Sequence, residues 1–136
     1  MTDSVAPNEP LARYITSSKW FRKKDQTVKQ DAFIPPDDPL ELSVTRHINL
    51  AENDIWMIGR GIVRGTPRTL HGRADVETSH VIARSLRVVP HPVPDNPNHA
   101  NIVGWPPDKH ARKMRALEIA QVARFVANPE AGAQIP

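Results

Sequence analysis

The sequence predicts an α+β fold: a small single domain of four to five short strands, mixed or antiparallel, with two main helices on one face of the sheet. Three observations predict it. Residues 40–47 (LELSVTRH) alternate apolar and polar with period two, as a half-buried strand does. Residues 98–125 read as a strand, a Trp-Pro-Pro corner and a long helix. Asn49 and Glu52 stand at capping-box spacing ahead of a second helical pattern.

The elements follow in order. Residues 1–10, acidic and proline-bearing, are expected to be a disordered arm. Residues 11–16 (LARYIT) make a first strand with Leu11, Arg13 and Ile15 on one face and Tyr14 on the other. Residues 33–39 (FIPPDDP) form a stiff connector, in which Asp37 and Asp38 suit a turn better than a metal site. In the strand at 40–47, Arg46 ends the apolar face, placed to pair with a carboxylate or an anion. A helix is expected from about Leu50 to Val63, with Ala51, Ile55, Ile58, Gly59, Ile62 and Val63 on its apolar face and Trp56 at the edge. Gly59 and Gly61 weaken that helix, so packing compensates or something approaches the backbone closely.

Residues 69–76 form a short polar strand. Thr78 or Ser79 caps a short helix reaching Arg84. Residues 86–90 and 100–104 are further strands, joined by a proline-rich connector. The organising unit is the last one. Its helix is expected from Asp108 to about Asn128, with Pro107 in the first turn and Asp108 favouring the positive end of the dipole. Met114, Leu117 and Phe125 fall on one side of it and Ala116, Ile119, Ala120, Ala123 and Val126 on another, so its C-terminal half is expected to be buried or to meet a partner. Met114, Leu117, Ile119 and Ile102 are the expected core residues. The domain is expected to span residues 11–128, with a frayed tail at 129–136.

Composition narrows the function. The chain of 136 residues has no cysteine, which excludes a disulfide framework and a thiolate metal site. No apolar run approaches the ~18 residues of a membrane span. The acidic, proline-bearing N-terminus does not read as a signal peptide, so a cytoplasmic location is expected. Eighteen basic against fifteen acidic residues leave a net charge of +3, which permits an anionic partner without requiring one.

Three constellations carry possible chemistry. Within residues 17–31, Lys19, Arg22, Lys23, Lys24 and Lys29 surround the Trp20–Phe21 pair. Basic residues interleaved with aromatics are what single-stranded nucleic acid recruits, charge for phosphates and rings for bases. His71 and Arg73, with Arg46 and a second imidazole such as His99 or His110, would suffice for metal-free cleavage of a phosphodiester. His91, Asp95 and His99 have metal-ligand chemistry, but their spacing falls on a proline-rich loop and no metal is expected.

The segment HANIVGWPPDK, together with LSVTR, the Ile55-Trp56-x-Ile58-Gly59 helix and Gly72-Arg73-Ala74-Asp75, resembles a pattern in small uncharacterised bacterial proteins. It covers about half of the chain. The resemblance implies a compact bacterial domain and assigns no chemistry.

The expected function is therefore a non-enzymatic binding or accessory module of a bacterial system. It would contact nucleic acid or a protein partner through the basic, aromatic stretch, without a cofactor and without a membrane. Self-association through the C-terminal helix is left open. The alternative is a small histidine-dependent hydrolase or transferase acting on a phosphodiester or nucleotide through His71, His99, Arg46 and Arg73.

Overall fold

A computed structural model describes residues 4–130 of the chain. Residues 1–3 of the expected arm and residues 131–136 of the expected tail lie outside the described part. The fold is α+β. Six strands form one antiparallel sheet in the order β6 (Arg87–Pro90), β7 (His99–Val103), β4 (Leu42–Arg46), β1 (Pro10–Ile15), β5 (Gly72–Glu77), β8 (Arg124–Ala127). A separate two-stranded ribbon joins β2 (Phe21–Arg22) to β3 (Thr27–Val28). Three α-helices complete it: α1 (Glu52–Val63), α2 (Thr78–Ile82) and α3 (Lys109–Val122). The sheet thus has more strands than the four to five expected.

The two main helices lie on opposite faces, not on one. β1 explains why. It is a central strand with Leu11 and Ile15 on one face and Ala12 and Tyr14 on the other, all buried. Leu11, Ile15, Leu42, Val44, Ala74, Val76, Ala100 and Ile102 form one core with Ala116, Ile119 and Ala120 of α3. Ala12 and Tyr14 form a second core with Ile55 and Trp56 of α1. Trp56, expected at the edge of its helix, is 3% exposed, whereas Ile62, expected inside, is 41% exposed.

Both helix ends depart from expectation for local reasons. Asn49 does not cap α1; it takes a positive φ of 58°. The cap is Ala51, whose N–H donates to the Asp54 carboxylate (3.0 Å). Glu52 is thereby released to serve Arg73 and Trp56. In α3, Asp108 is the N-cap, accepting from the Ala111 N–H at 2.9 Å. The helix stops at Val122, and residues 124–127 become β8 on the outer edge of β5. Phe125 and Val126 have the side chains of a strand, and the β5 edge supplies the backbone partners. The apolar helix end expected to meet a partner is therefore part of the sheet. Within α3, Ile119 is buried, Leu117 is half-buried and Met114 is 44% exposed, so only part of the expected apolar face enters the core.

Residues expected in the arm are held down. Glu9 is 6% exposed, and its carbonyl accepts from both the N–H and the hydroxyl of Thr78. Val5 packs against the larger core. The Trp105 corner closes that core, with the indole N–H donating to the Ile102 carbonyl at 2.9 Å.

Gly59 is where α1 meets the sheet. A Cβ there would stand 2.7 Å from Cε1 of Tyr14, whose ring is anchored by its hydroxyl donating to the Ile55 carbonyl at 2.5 Å. At Gly61 a Cβ would meet nothing within 4 Å. Gly59→Ala should therefore destabilise by roughly 1–3 kcal/mol through overpacking. Gly61→Ala should stabilise by roughly 0.5–1 kcal/mol through helix propensity. Urea unfolding of the two variants checks this; shifts of the same sign would refute the close approach of α1 to Tyr14.

Candidate anion-binding cleft

The site begins where the sheet opens. β1 and β4 pair at Leu11 with Arg46 and at Ala12 with Thr45. Beyond Ala12 the Arg13 guanidinium takes the place of backbone pairing. Its Nε donates to the Ala32 carbonyl (2.8 Å) and its Nη1 to the Ser43 carbonyl (3.1 Å). The guanidinium also lies 5.0 Å from the centroid of the Trp20 ring. Among the described residues no carboxylate pairs with Arg13. Burial first, and the Arg68 charge second, lower its pKa to about 10.

The opening is a cavity of about 340 Å³ whose walls include Arg13, Trp20, Thr45, Arg68, Asn96 and His99, with no carboxylate among them. Asn96 and Thr45 are buried and bonded to each other, Nδ2 donating to Oγ1 at 2.8 Å. Tyr14 forms part of the floor, and burial raises its pKa well above the ordinary phenol value.

Two further clefts continue this cavity. One of about 440 Å³ shares Thr16, Trp20 and Arg68 with it and reaches His71. The next, about 620 Å³, shares Arg68, Thr69 and His71 with the second and adds Lys23 and Arg60. Arg68 is exposed and borders all three. The run is lined by the cations Arg13, Lys23, Arg60 and Arg68 against one carboxylate, Glu130, which lies 3.5 Å from Arg60. Clefts lined by one sign of charge concentrate counter-ions of the other.

Of the basic, aromatic stretch, Trp20, Phe21 and Lys23 border these clefts, whereas Lys19, Arg22, Lys24 and Lys29 do not. Phe21 is not an exposed stacking ring. It is 8% exposed, stacked on Phe125 with centroids 4.8 Å apart, and 5.2 Å from His71. Ring burial in the larger core explains the difference. Trp20 is half-buried.

The structure does not bring His71, His99, Arg46 and Arg73 together. His71 lines the second and third clefts and His99 the first. Arg46 is buried in a two-point ion pair with Glu9, Nε to Oε2 at 2.6 Å and Nη2 to Oε1 at 2.9 Å. Arg73 donates to Glu52 (2.8 and 3.1 Å) and Asp75 (2.9 Å), with its charge 4.8 Å from the Trp56 centroid. The Arg73 bond, together with its charge, holds the Glu52 carboxyl below the usual range. Both arginines face internal carboxylates, leaving neither as a ligand-binding cation.

His91 and His99 do meet, Nδ1 to Nδ1 at 3.2 Å, and the His99 Nδ1 also lies 2.8 Å from the His91 carbonyl. Asp95 does not join them: among the described residues no group of three or more potential ligands is gathered for a metal. Asp37, with Asp38 at the turn, pairs with Arg112 at 3.0 Å and Lys109 at 3.7 Å on α3. No described helix is long and apolar enough to cross a membrane.

Sequence reasoning missed Arg13 and Arg68 as site residues. The signal for Arg13 was present, a guanidinium between two apolar residues on one strand face. Nothing local marks Arg68.

Two outcomes follow. Arg46→Ala should cost about 3–5 kcal/mol, because Glu9 is left buried and unpaired; an unchanged urea midpoint would return Arg46 to the pool of ligand-binding cations. Burial, and secondarily Lys23, lower the His71 pKa. Proton-detected titration should therefore place His71 below the ordinary imidazole value, and Lys23→Ala should move it up. Between the lowered and ordinary values the unfolded chain binds a proton that the folded chain refuses. This group's contribution to stability is thus full above that window and declines as pH falls through it.

No family model matches this chain, and no curated protein or solved structure matches it either.

Proposed function

We propose that this protein is a non-enzymatic binding module that engages single-stranded nucleic acid along the three connected clefts. The observation that carries this reading is the continuity of the run: Arg68 borders every cleft, and four cations face one carboxylate. A cationic groove tracks a phosphate backbone, and a bordering aromatic ring gives a base something to stack on. Trp20 borders two of the clefts; Arg13 lies over its ring and the larger core packs against it, so a base would meet only the part that stays exposed. The binding stretch of the sequence is thereby reduced to Trp20 and Lys23 and extended to Arg13, Arg60 and Arg68. Lys19, Arg22, Lys24 and Lys29 contribute long-range attraction only.

A second reading has one observation in its favour. His99 borders the Arg13–Arg68 cavity and touches His91, so an imidazole pair stands beside two guanidiniums. Histidine-dependent hydrolysis or transfer at a phosphodiester would then rest on His91 and His99 in place of His71, Arg46 and Arg73.

Binding of a fluorescent single strand, followed by anisotropy across a salt series, tests the first reading. It should be indifferent to sequence, with log affinity falling against log salt at a slope of roughly −3 for four neutralised phosphates. Replacing Lys23 and Arg68 together with Ala should flatten that slope by about one to one and a half units. Absence of binding at low salt, or a slope the double variant leaves unchanged, defeats the reading. Strand cleavage in the same mixtures, lost in His99→Ala, would select the second reading.

A further inference from the structure

We propose that the cavity between β1 and β4 is a seat for a phosphate monoester at the end of a bound strand, held by Arg13 and Arg68. This rests on the nucleic-acid reading above and names the group that its first cleft takes.

Three observations lead there. The first is the state of Arg13. Of the five N–H groups of a guanidinium, two are used on the Ala32 and Ser43 carbonyls. The residue lines the cavity, three of its N–H groups are not engaged by these two bonds, and no described carboxylate neutralises the charge. Those two carbonyls and the Trp20 ring fix the plane of the fork, so little freedom is lost when an oxyanion docks on it. A preset guanidinium fork matches the oxygens of phosphate better than a flexible ammonium does.

The second observation is the charge of the walls. Arg68 is near enough to Arg13 to raise the cost of its charge, and the cavity's other polar lining includes Asn96 and Thr45, bonded to each other, and His99. An anion entering relieves the repulsion between the guanidiniums. An internal phosphodiester brings one negative charge, whereas a monoester near neutral pH brings about 1.5 to 2. Two guanidiniums lining one cavity, that of Arg68 also donating to the Ile62 carbonyl (3.4 Å), match the monoester.

The third observation is position. This cavity is the end of the run. It joins the second cleft through Thr16, Trp20 and Arg68, and meets the third only at Arg68. A strand lying in the second and third clefts therefore brings its terminus here. Trp20 stands at the junction, where the first base would lie.

The test compares labelled oligothymidylates carrying a 5′ phosphate, a 3′ phosphate or only hydroxyl ends, with thymidine monophosphate and thymidine as competitors. One phosphorylated end should bind about tenfold more tightly than the hydroxyl-ended strand. Thymidine monophosphate should displace it where thymidine does not. Arg68→Ala, a change at an exposed side chain, should erase the preference while circular dichroism stays that of the native fold. Arg13→Lys, which keeps the charge and loses the fork, should reduce the preference as well. If strands bind with the expected salt slope but without regard to their ends, the seat is overturned and the groove stands. If thymidine monophosphate binds and no strand does, the groove is overturned and the seat becomes a mononucleotide site. If neither binds, both fall.

Discussion

β1 is apolar on both faces, and that constraint organises the molecule. A strand with only one buried face can rest on a single layer. One that buries Leu11 and Ile15 above and Ala12 and Tyr14 below needs cover on both sides. α3 supplies one layer and α1 the other. The sheet is then the middle of three layers, with β4 and β5 flanking β1 and the remaining strands completing the edges. The close approach of Gly59 to Tyr14 and the tyrosine bond back to the Ile55 carbonyl show how tightly the α1 layer is drawn onto this strand.

Two arginines act at the seam between this strand and β4. At its start Leu11 pairs with Arg46, and the Arg46 side chain turns to Glu9, the residue just before β1. A buried ion pair of this kind adds little net stability over an apolar pair but penalises any arrangement that separates its partners. It therefore ties the start of β1 to the end of β4. Two residues on, Arg13 replaces backbone pairing with side-chain bonds to Ser43 and Ala32. One arginine closes the β1–β4 seam and the next props it open. The difference is the partner: Arg46 meets a carboxylate, Arg13 only carbonyls and an aromatic ring.

That difference also separates structural charge from available charge. Arg46 and Arg73 are both satisfied by carboxylates of the chain itself, so they stabilise the sheet and its α1 layer. Arg13 and Arg68 line one cavity without a carboxylate partner, and the clefts that run past them lead to Lys23 and to Arg60, which pairs with Glu130. The excess positive charge of the chain is modest. Along the clefts it is concentrated, because only Glu130 among the acidic residues borders them, while Glu9, Glu52, Asp75 and Asp37 pair with arginines at the start of β1, on α1 and β5, and at the base of α3.

Local pattern alone determined much of the fold. The period-two alternation of residues 42–46, the apolar run of β7, the Trp-Pro-Pro corner and the start of α3 were legible because each depends on neighbours in sequence. The α+β class followed from them. Of the basic, aromatic stretch only Trp20, Phe21 and Lys23 border the clefts. Tertiary structure decided the rest. Whether residues 124–127 continue a helix or become a strand depends on the vacant edge of β5, some fifty residues away. Whether Phe21 stacks on a base or on Phe125 depends on that same strand. And whether an arginine is a ligand site or half of an ion pair depends on which carboxylate the fold brings to it. Arg46 and Arg73 looked the more available in sequence and are paired. Arg13 looked like an interruption of a strand face and is the charge left open, because pairing of charges is a property of distances that one dimension does not contain.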